Sequence, residues 1–205
     1  MTRQRKRAED RKAELVATAI RLAGEVGPDR VTTQALAEAV GISQPAIFRH
    51  FPTKPDIWLA VGETITQGME PGAPGLPTVD ENDPLARLEA LVARYLGQIM
   101  QTPAIPAILF SRELHSENEA LRAHFQTVMT RRRAGFAALI AAAQDRGQIG
   151  GGRAEAGDLA AVILATIQGL AMRWSLEARG FDLQAEGVRL IGGVIRGFAG
   201  NRGAE

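Results

Sequence analysis

Three residues in one short stretch have side chains suited to reading a nucleic acid: Gln44, Arg49 and Lys54. A glutamine amide can bond an adenine edge bidentately and an arginine guanidinium a guanine edge, each discriminating against the wrong base by roughly 1–3 kcal/mol. Lys54 follows Thr53, which can cap a helix, and Asp56 can close a capping box with it. The N-terminus of that helix favours an anion such as a phosphate, and the Lys54 ammonium adds a full charge.

Such side chains work only when held rigidly, and residues 32–51, TTQALAEAVGISQPAIFRHF, read as the device that holds them. They predict two short helices joined by a tight turn. Ala37 lets the helices cross closely, Gly41 supplies a left-handed turn residue, and Ile47 anchors the second helix. Leu36, Val40 and Ile42 complete the buried side. Ser43 is a suitable N-cap, and Pro45 falls in the first turn, where a missing N–H is tolerated. The positions left exposed are Gln44, Pro45, Ala46, Arg49 and His50. For His50 the alternative is a ring packed at a helix end.

A preceding helix is predicted over Ala8 to Glu25, since Leu15, Ala19, Leu22 and Val26 recur at helical spacing. Gly27-Pro28 ends it, and Thr32 or Thr33 caps the next. Beyond Thr53, Ile57, Trp58 and Val61 give the following helix an apolar side. Residues 1–62 carry ten Lys or Arg against seven Asp or Glu, a balance of +3, whereas residues 63–205 carry fourteen against sixteen, or −2. The N-terminal part therefore faces polyanions better. Arg3, Arg5, Lys6, Arg7, Arg11 and Lys12 form a basic arm, read either as a solvated terminus or as an arm touching phosphate or minor groove.

The run from Leu15 to Val61 resembles the DNA-binding domain of the TetR family, the tetracycline-repressor-like bacterial regulators. Leu15, Ala19, Gly27, Thr33, Leu36, Ala37, Gly41, Ser43, Ile47, His50, Phe51 and Lys54 carry the likeness, within 47 of 205 residues. The resemblance implies a homodimeric transcriptional regulator, usually a repressor released by a small molecule. It assigns phosphate contacts to Thr33, His50 and Lys54, and base-edge or neighbouring contacts to Gln44, Pro45, Ala46 and Arg49, with Ser43 heading their helix. The family commonly has tyrosine where this chain has Phe48, which can pack but cannot donate to a phosphate. A recognition helix of roughly two turns gives little specificity alone, so two copies related by a two-fold axis are expected to read a palindromic double-stranded DNA operator.

The fold class expected is all-α: an N-terminal three-helix DNA-binding domain with a helix-turn-helix over residues 1–62, then a larger helical effector-binding and dimerisation domain over 63–205. Residues 68–84, GMEPGAPGLPTVDENDP, are too rich in glycine and proline to continue a helix and form the joint. Asp83 and Pro84 open a helix holding Leu85, Leu88, Leu91, Val92, Tyr95, Leu96 and Ile99. Thr102 and Pro103 begin a short one, which Pro106 kinks or delays. Ser116 with Glu119 reads as a capping box opening a long helix that reaches Arg146 and stops before Gly147. On its apolar stripe Arg132 is the exception. Either it snorkels or pairs with a carboxylate such as Glu113, or it is a buried cation answering an acidic effector.

The last two helices, about Ala156 to Arg179 and Leu183 to Ala199, carry more apolar surface than one chain needs. Ala161, Ala165, Gln168 and Met172 give the first a flat face, and Val188, Ile191, Val194, Ile195 and Phe198 line the second. Gly192, Gly193 and Gly197 suggest close backbone approach, since glycine costs a helix roughly 1 kcal/mol relative to alanine. Self-association is expected here, with ordinary core as the alternative; the resemblance implies a four-helix dimer bundle. Tyr95, Ile99, Ile108, Phe110, Phe125, Met129, Arg132, Phe136 and Trp174 can then surround a pocket for a lipophilic or amphipathic small-molecule effector.

Composition narrows the remaining classes. Zero cysteines leave no disulfide or thiolate metal site, and His115 and His124 lack a ligand pattern, so no metal or cofactor is expected. No nucleophile elbow, phosphate loop or paired-carboxylate motif points to catalysis. The longest uncharged apolar stretch, Leu159 to Met172, is too short to span a bilayer. No secretion signal is read, so a cytoplasmic location and no membrane partner are expected. A DNA-binding dimer without effector, and more remotely a helical enzyme, are the competing readings.

Overall fold

A computed structural model of the chain describes residues 8–67, 80, 82–149 and 155–199. The arm residues Arg3, Arg5, Lys6 and Arg7 and most of the expected joint lie outside the described residues. In order, the helices are α1 (Ala8–Val26), α2 (Thr33–Val40), α3 (Gln44–Ile47), α4 (Lys54–Gln67), α5 (Pro84–Gln101), α6 (Ala104–Phe110), α7 (Arg112–Glu117), α8 (Glu119–Asp145), α9 (Ala156–Leu176) and α10 (Leu183–Ala199), with a 3-10 turn at Pro28–Arg30. No strand occurs among the described residues, and the fold is all-α as expected. Packing groups the chain into two units: residues 1–67 with 102–126, and residues 68–101 with 127–205. The linear division after residue 62 thus differs from the packing, which draws a later segment into the first unit.

In the first unit α1 buries Leu15, Val16, Ala19 and Ala23. Its stripe ends at Ala23 rather than at the expected Val26, which is 47% exposed. Gly27 then leaves the helix at φ 86°. Thr32 caps α2 by accepting from the Ala35 N–H at 3.0 Å. Asn118, not Ser116, opens α8: Leu121 N donates to its Oδ1 at 3.0 Å, and its own amide donates to the Pro55 carbonyl at 2.9 Å. Ser116 sits inside α7, its hydroxyl turned back to the Glu113 carbonyl. The break before α7 falls at Ser111, whose Oγ accepts from Leu114 N at 3.0 Å and donates to Asp29 at 2.5 Å. On α4, a Cβ at Gly62 would stand 2.5 Å from Leu121 Cδ1. Glycine there lets the Leu121 side chain lie directly on the α4 backbone. One turn on, Thr66 Oγ1 and His124 Nε2 are 2.9 Å apart.

In the second unit α5 packs on α10, and α9 packs on both. Asp83 caps α5 through the Ala86 N–H at 3.0 Å. Leu88, Leu96, Phe136, Ile140, Leu159 and Ile163 are fully enclosed. The close approach expected of the α10 glycines occurs at Gly187, where a Cβ would fall 2.4 Å from Leu96 Cδ1; Gly193 and Gly197 have nothing within 4 Å, and Gly192 faces Arg196 of its own helix. The reason is their side of α10, since Gly193 and Gly197 are exposed. α9 stops at Leu176, short of the expected Arg179, because Ala178 and Arg179 turn left-handed at φ 51° and 64°. Arg173 bonds Glu186 at 2.6 Å and lies 4.3 Å over the Phe181 ring. That bond raises its pKa above the usual guanidinium value and ties α9 to α10.

By length and composition α9 is apolar enough to cross a membrane, exceeding the uncharged run Leu159–Met172; only 39% of its most apolar window is buried. Leu159, Ile163, Ile167, Leu170 and Trp174 nevertheless pack inward as they do on a core helix, and the surplus lies on the opposite side.

Candidate nucleic-acid interface

The helix-turn-helix is built from the bottom by three enclosed side chains, Leu36, Ala37 and Ile47. Val40 and Ile42 are only half-buried. Between the helices Gly41 adopts φ 73°, a left-handed conformation in which a Cβ would crowd the backbone. The turn closes with Gly41 N donating to Glu38 O at 3.1 Å and Ile42 N to Ala37 O at 3.0 Å. Regular helix in α3 is limited to Gln44–Ile47, shorter than the two turns expected. Beyond it His50 N and Phe51 N both donate to the Ile47 carbonyl, at 2.8 and 3.0 Å. The segment therefore keeps its curl to Phe51, whose ring lies 6.0 Å below the Lys12 ammonium.

The sequence-derived candidates differ in exposure. Ser43, Pro45, Phe48 and Arg49 are exposed, while Thr33, Gln44, Ala46, His50 and Lys54 are half-buried. Ser43 occupies the cap position with extended backbone, yet its side chain makes no cap bond. Gln44 Nε2 donates to Thr33 Oγ1 at 2.7 Å, joining a residue read as a base contact to one read as a phosphate contact. Phe48, 41% exposed, presents an apolar ring where a phenol would have offered a donor. Lys54 is the first residue of α4. The Thr53 N–H donates to Asp56 Oδ2 at 2.9 Å and the Asp56 N–H to Thr53 Oγ1 at 3.3 Å, the capping box expected. Two supposed arm cations are helical: Arg11 pairs with Glu14 at 2.5 Å, and Lys12 is the one over Phe51.

The residues expected around an effector pocket separate. Tyr95, Arg132, Phe136 and Trp174 belong to the second unit, with the Tyr95 and Phe136 rings 5.6 Å apart and the Arg132 guanidinium 4.9 Å over Tyr95. Arg132 therefore covers an aromatic face. Tyr95, Ile99, Phe136 and Trp174 are buried, and Met129 Sδ lies 3.7 Å from Gln168 Nε2. Ile108, Phe110 and Phe125 belong to the first unit, where Phe125 meets the His115 ring edge-on at 5.5 Å. There an open hollow of about 630 Å³ is lined by Leu109, Phe110, Arg112, His115, Glu119 and Arg122 among others; of the expected pocket residues it includes Phe110. The sequence held no signal for it, since Ser111 breaks the chain there through a distant partner.

The expected dimer residues divide by helix. Ala161, Ala165 and Met172 of α9 and Val188 of α10 are exposed, and Gln168 and Val194 are half-buried. Ile191 and Ile195, 1% and 3% exposed, are core of their own protomer, because α10 turns that side to its neighbours within the unit. Phe198 has its side chain outside the described residues. Two residues not anticipated extend the exposed apolar strip, Val162 at 43% and Leu176 at 78%.

Residues 15–61 match the family described as bacterial regulatory proteins, tetR family. The nucleoid occlusion factor SlmA of Aliivibrio fischeri (strain MJ11) is 32% identical over 117 residues, 57% of this chain and 59% of that protein, so the chain spans under two thirds of that relative. A TetR transcription regulator from Haloarcula marismortui superposes with a TM-score of 0.75 at 21% identity, over 93% of this chain and 98% of its own. FadR from Bacillus subtilis, solved in complex with stearoyl-CoA, does so with a TM-score of 0.73 at 17% identity, over 90% of this chain and 98% of its own. These likenesses are of fold. Together with the geometry of residues 32–54, the matched segment identifies residues 15–61 as a DNA-binding domain like those of the bacterial regulatory proteins of the tetR family.

Proposed function

We propose that the protein is a ligand-responsive transcriptional regulator, most simply a repressor, that binds a palindromic operator as a homodimer in the cytoplasm. The observation that carries this reading is the helix-turn-helix itself, a short helix fixed by the left-handed Gly41 with Arg49 exposed and Gln44 and Lys54 half-buried beside it. Arg49 would read a base edge, and His50 and Lys54 would hold phosphates. The strip Ala161, Val162, Ala165, Met172, Leu176 and Val188 supports the dimer, since a protomer that leaves such side chains open gains by covering them. A lipophilic effector preferring one spacing of the two recognition helices would release DNA by its differential affinity; FadR, bound to stearoyl-CoA, is a neighbour of like fold.

Selection of bound sequences from random duplexes tests the reading. A palindrome is expected, with Arg49→Ala relaxing one base pair of each half-site by roughly 1–3 kcal/mol and Lys54→Ala weakening all sequences alike. Enrichment of no sequence would overturn it. A second reading, a DNA-binding dimer without effector, is favoured by one observation: Tyr95, Phe136 and Trp174 are already packed. Thermal stabilisation by an apolar ligand that also lowers operator affinity would decide against it.

A further inference from the structure

The bond from Gln44 to Thr33 does more than join two candidate contacts. Thr33 opens α2 and Gln44 opens α3, so each backbone is fixed, one by the Thr32 cap and the other by the Gly41 turn. Both side chains are half-buried, which shields the 2.7 Å bond from competing water. A threonine hydroxyl has one hydrogen and can accept as well as donate. With Oγ1 accepting from Gln44 Nε2, its hydrogen is left for an outside acceptor. If that acceptor is a phosphate oxygen, the hydroxyl can no longer donate inward, and the amide cannot flip to present its oxygen to Thr33. Oε1 and the second Nε2 hydrogen must then face outward.

We infer that Thr33 is a positioning residue that sets the base preference of Gln44, making it a reader of adenine. The inference rests on the DNA-contacting role proposed above. An outward pair of one acceptor and one donor matches adenine, which offers the N6 hydrogen and N7. It opposes guanine, whose N7 and O6 both accept, so that Oε1 would meet a second lone pair. Backbone contact and base choice are thereby joined through one hydroxyl: a phosphate in register orients the amide, and one out of register leaves it free to turn.

The test measures relative affinity for each base at every half-site position, together with the salt dependence of binding, for the wild type, Thr33→Ser, Thr33→Val, Thr33→Ala and Gln44→Ala. In the wild type and Thr33→Ser, one position of each half-site should favour adenine over guanine by about tenfold. That ratio should fall to about threefold or less in Thr33→Val, Thr33→Ala and Gln44→Ala, at the same position, with the others unchanged. Thr33→Val and Gln44→Ala should both leave the salt slope unchanged, since neither side chain carries a charge that displaces a counterion. Retention of the adenine preference in Thr33→Val and Thr33→Ala, with uniform weakening on all sequences, would overturn the inference and leave Thr33 a phosphate contact alone. A Gln44→Ala profile identical to the wild type would overturn it too. Absence of base preference in the wild type would instead remove the DNA-reading function itself.

Discussion

The two units solve the same packing problem to different degrees. In the first, five polar side chains end on a named partner within the unit: Thr32 on α2, Thr53 with Asp56 on α4, Ser111 on Asp29, Asn118 on Pro55 and Thr66 on His124. Its exposed side chains at the turn mix polar and apolar, Ser43 and Arg49 with Pro45 and Phe48. The second unit has a closed centre around Phe136, yet it leaves Val162, Met172, Leu176 and Val188 in solvent. The second unit thus keeps an exposed apolar strip. Rigidity therefore belongs where bases would be read, and unspent apolar surface where a second copy would meet.

Four experiments press on that contrast. The largest effect is expected from Met172→Glu combined with Leu176→Glu. Two charges forced into an apolar contact should raise the dimer dissociation constant by at least about 100-fold, read by analytical ultracentrifugation, with helical content unchanged. A pair that stays dimeric would show the second unit to be as self-sufficient as the first. Next, Ile47→Ala empties a fully enclosed site and should cost about 2–5 kcal/mol in urea unfolding, with operator binding lost alongside. Third, Asn118→Ala should cost about 0.5–2 kcal/mol as a lost cap, while Ser116→Ala stays within about 0.5 kcal/mol; the reverse order would return the α8 start to Ser116.

The smallest effect concerns Asp83 in the second unit. The Ala86 N–H first, and then the Gln148 amide, hold its carboxyl below the usual aspartate range. A depressed carboxylate contributes stability that is present above its unfolded pKa and disappears as pH falls through the folded one. Asp83→Asn should thus lower the melting temperature slightly at pH 7, and the gap should close as the pH falls through the depressed carboxyl's titration. A constant gap across that range would remove the carboxylate from the account.

What the sequence made legible follows the same contrast. The helix-turn-helix could be read from Gly41, Ile47 and the Thr53–Asp56 pair because each acts over a few residues. The bounds of α10 were equally open to reading, since the Asp182 side chain caps it locally at the Ala185 N–H. Ser111 and Asn118 were not, for their roles depend on Asp29 and Pro55, more than sixty positions away. A serine and an asparagine among other polar residues carry no mark of which will meet such a partner. On α10 the period revealed a stripe, but only the packed unit shows that Ile191 and Ile195 face inward while Val188 faces out. Gly187 was passed over for the opposite reason: a close approach to Leu96 is a property of two helices and leaves no trace in one.

The division of the first unit between residues 1–67 and 102–126 has a consequence for synthesis. At roughly 5–20 residues per second, several seconds separate the emergence of Gly62 from that of Leu121, the side chain that lies against it. During that interval the nascent chain carries a complete helix-turn-helix on an unfinished floor. A gene fragment ending at residue 67 would lack the Leu121 side chain that lies against Gly62, so a DNA-binding fragment of this protein is expected to be more stable when it extends through residue 126.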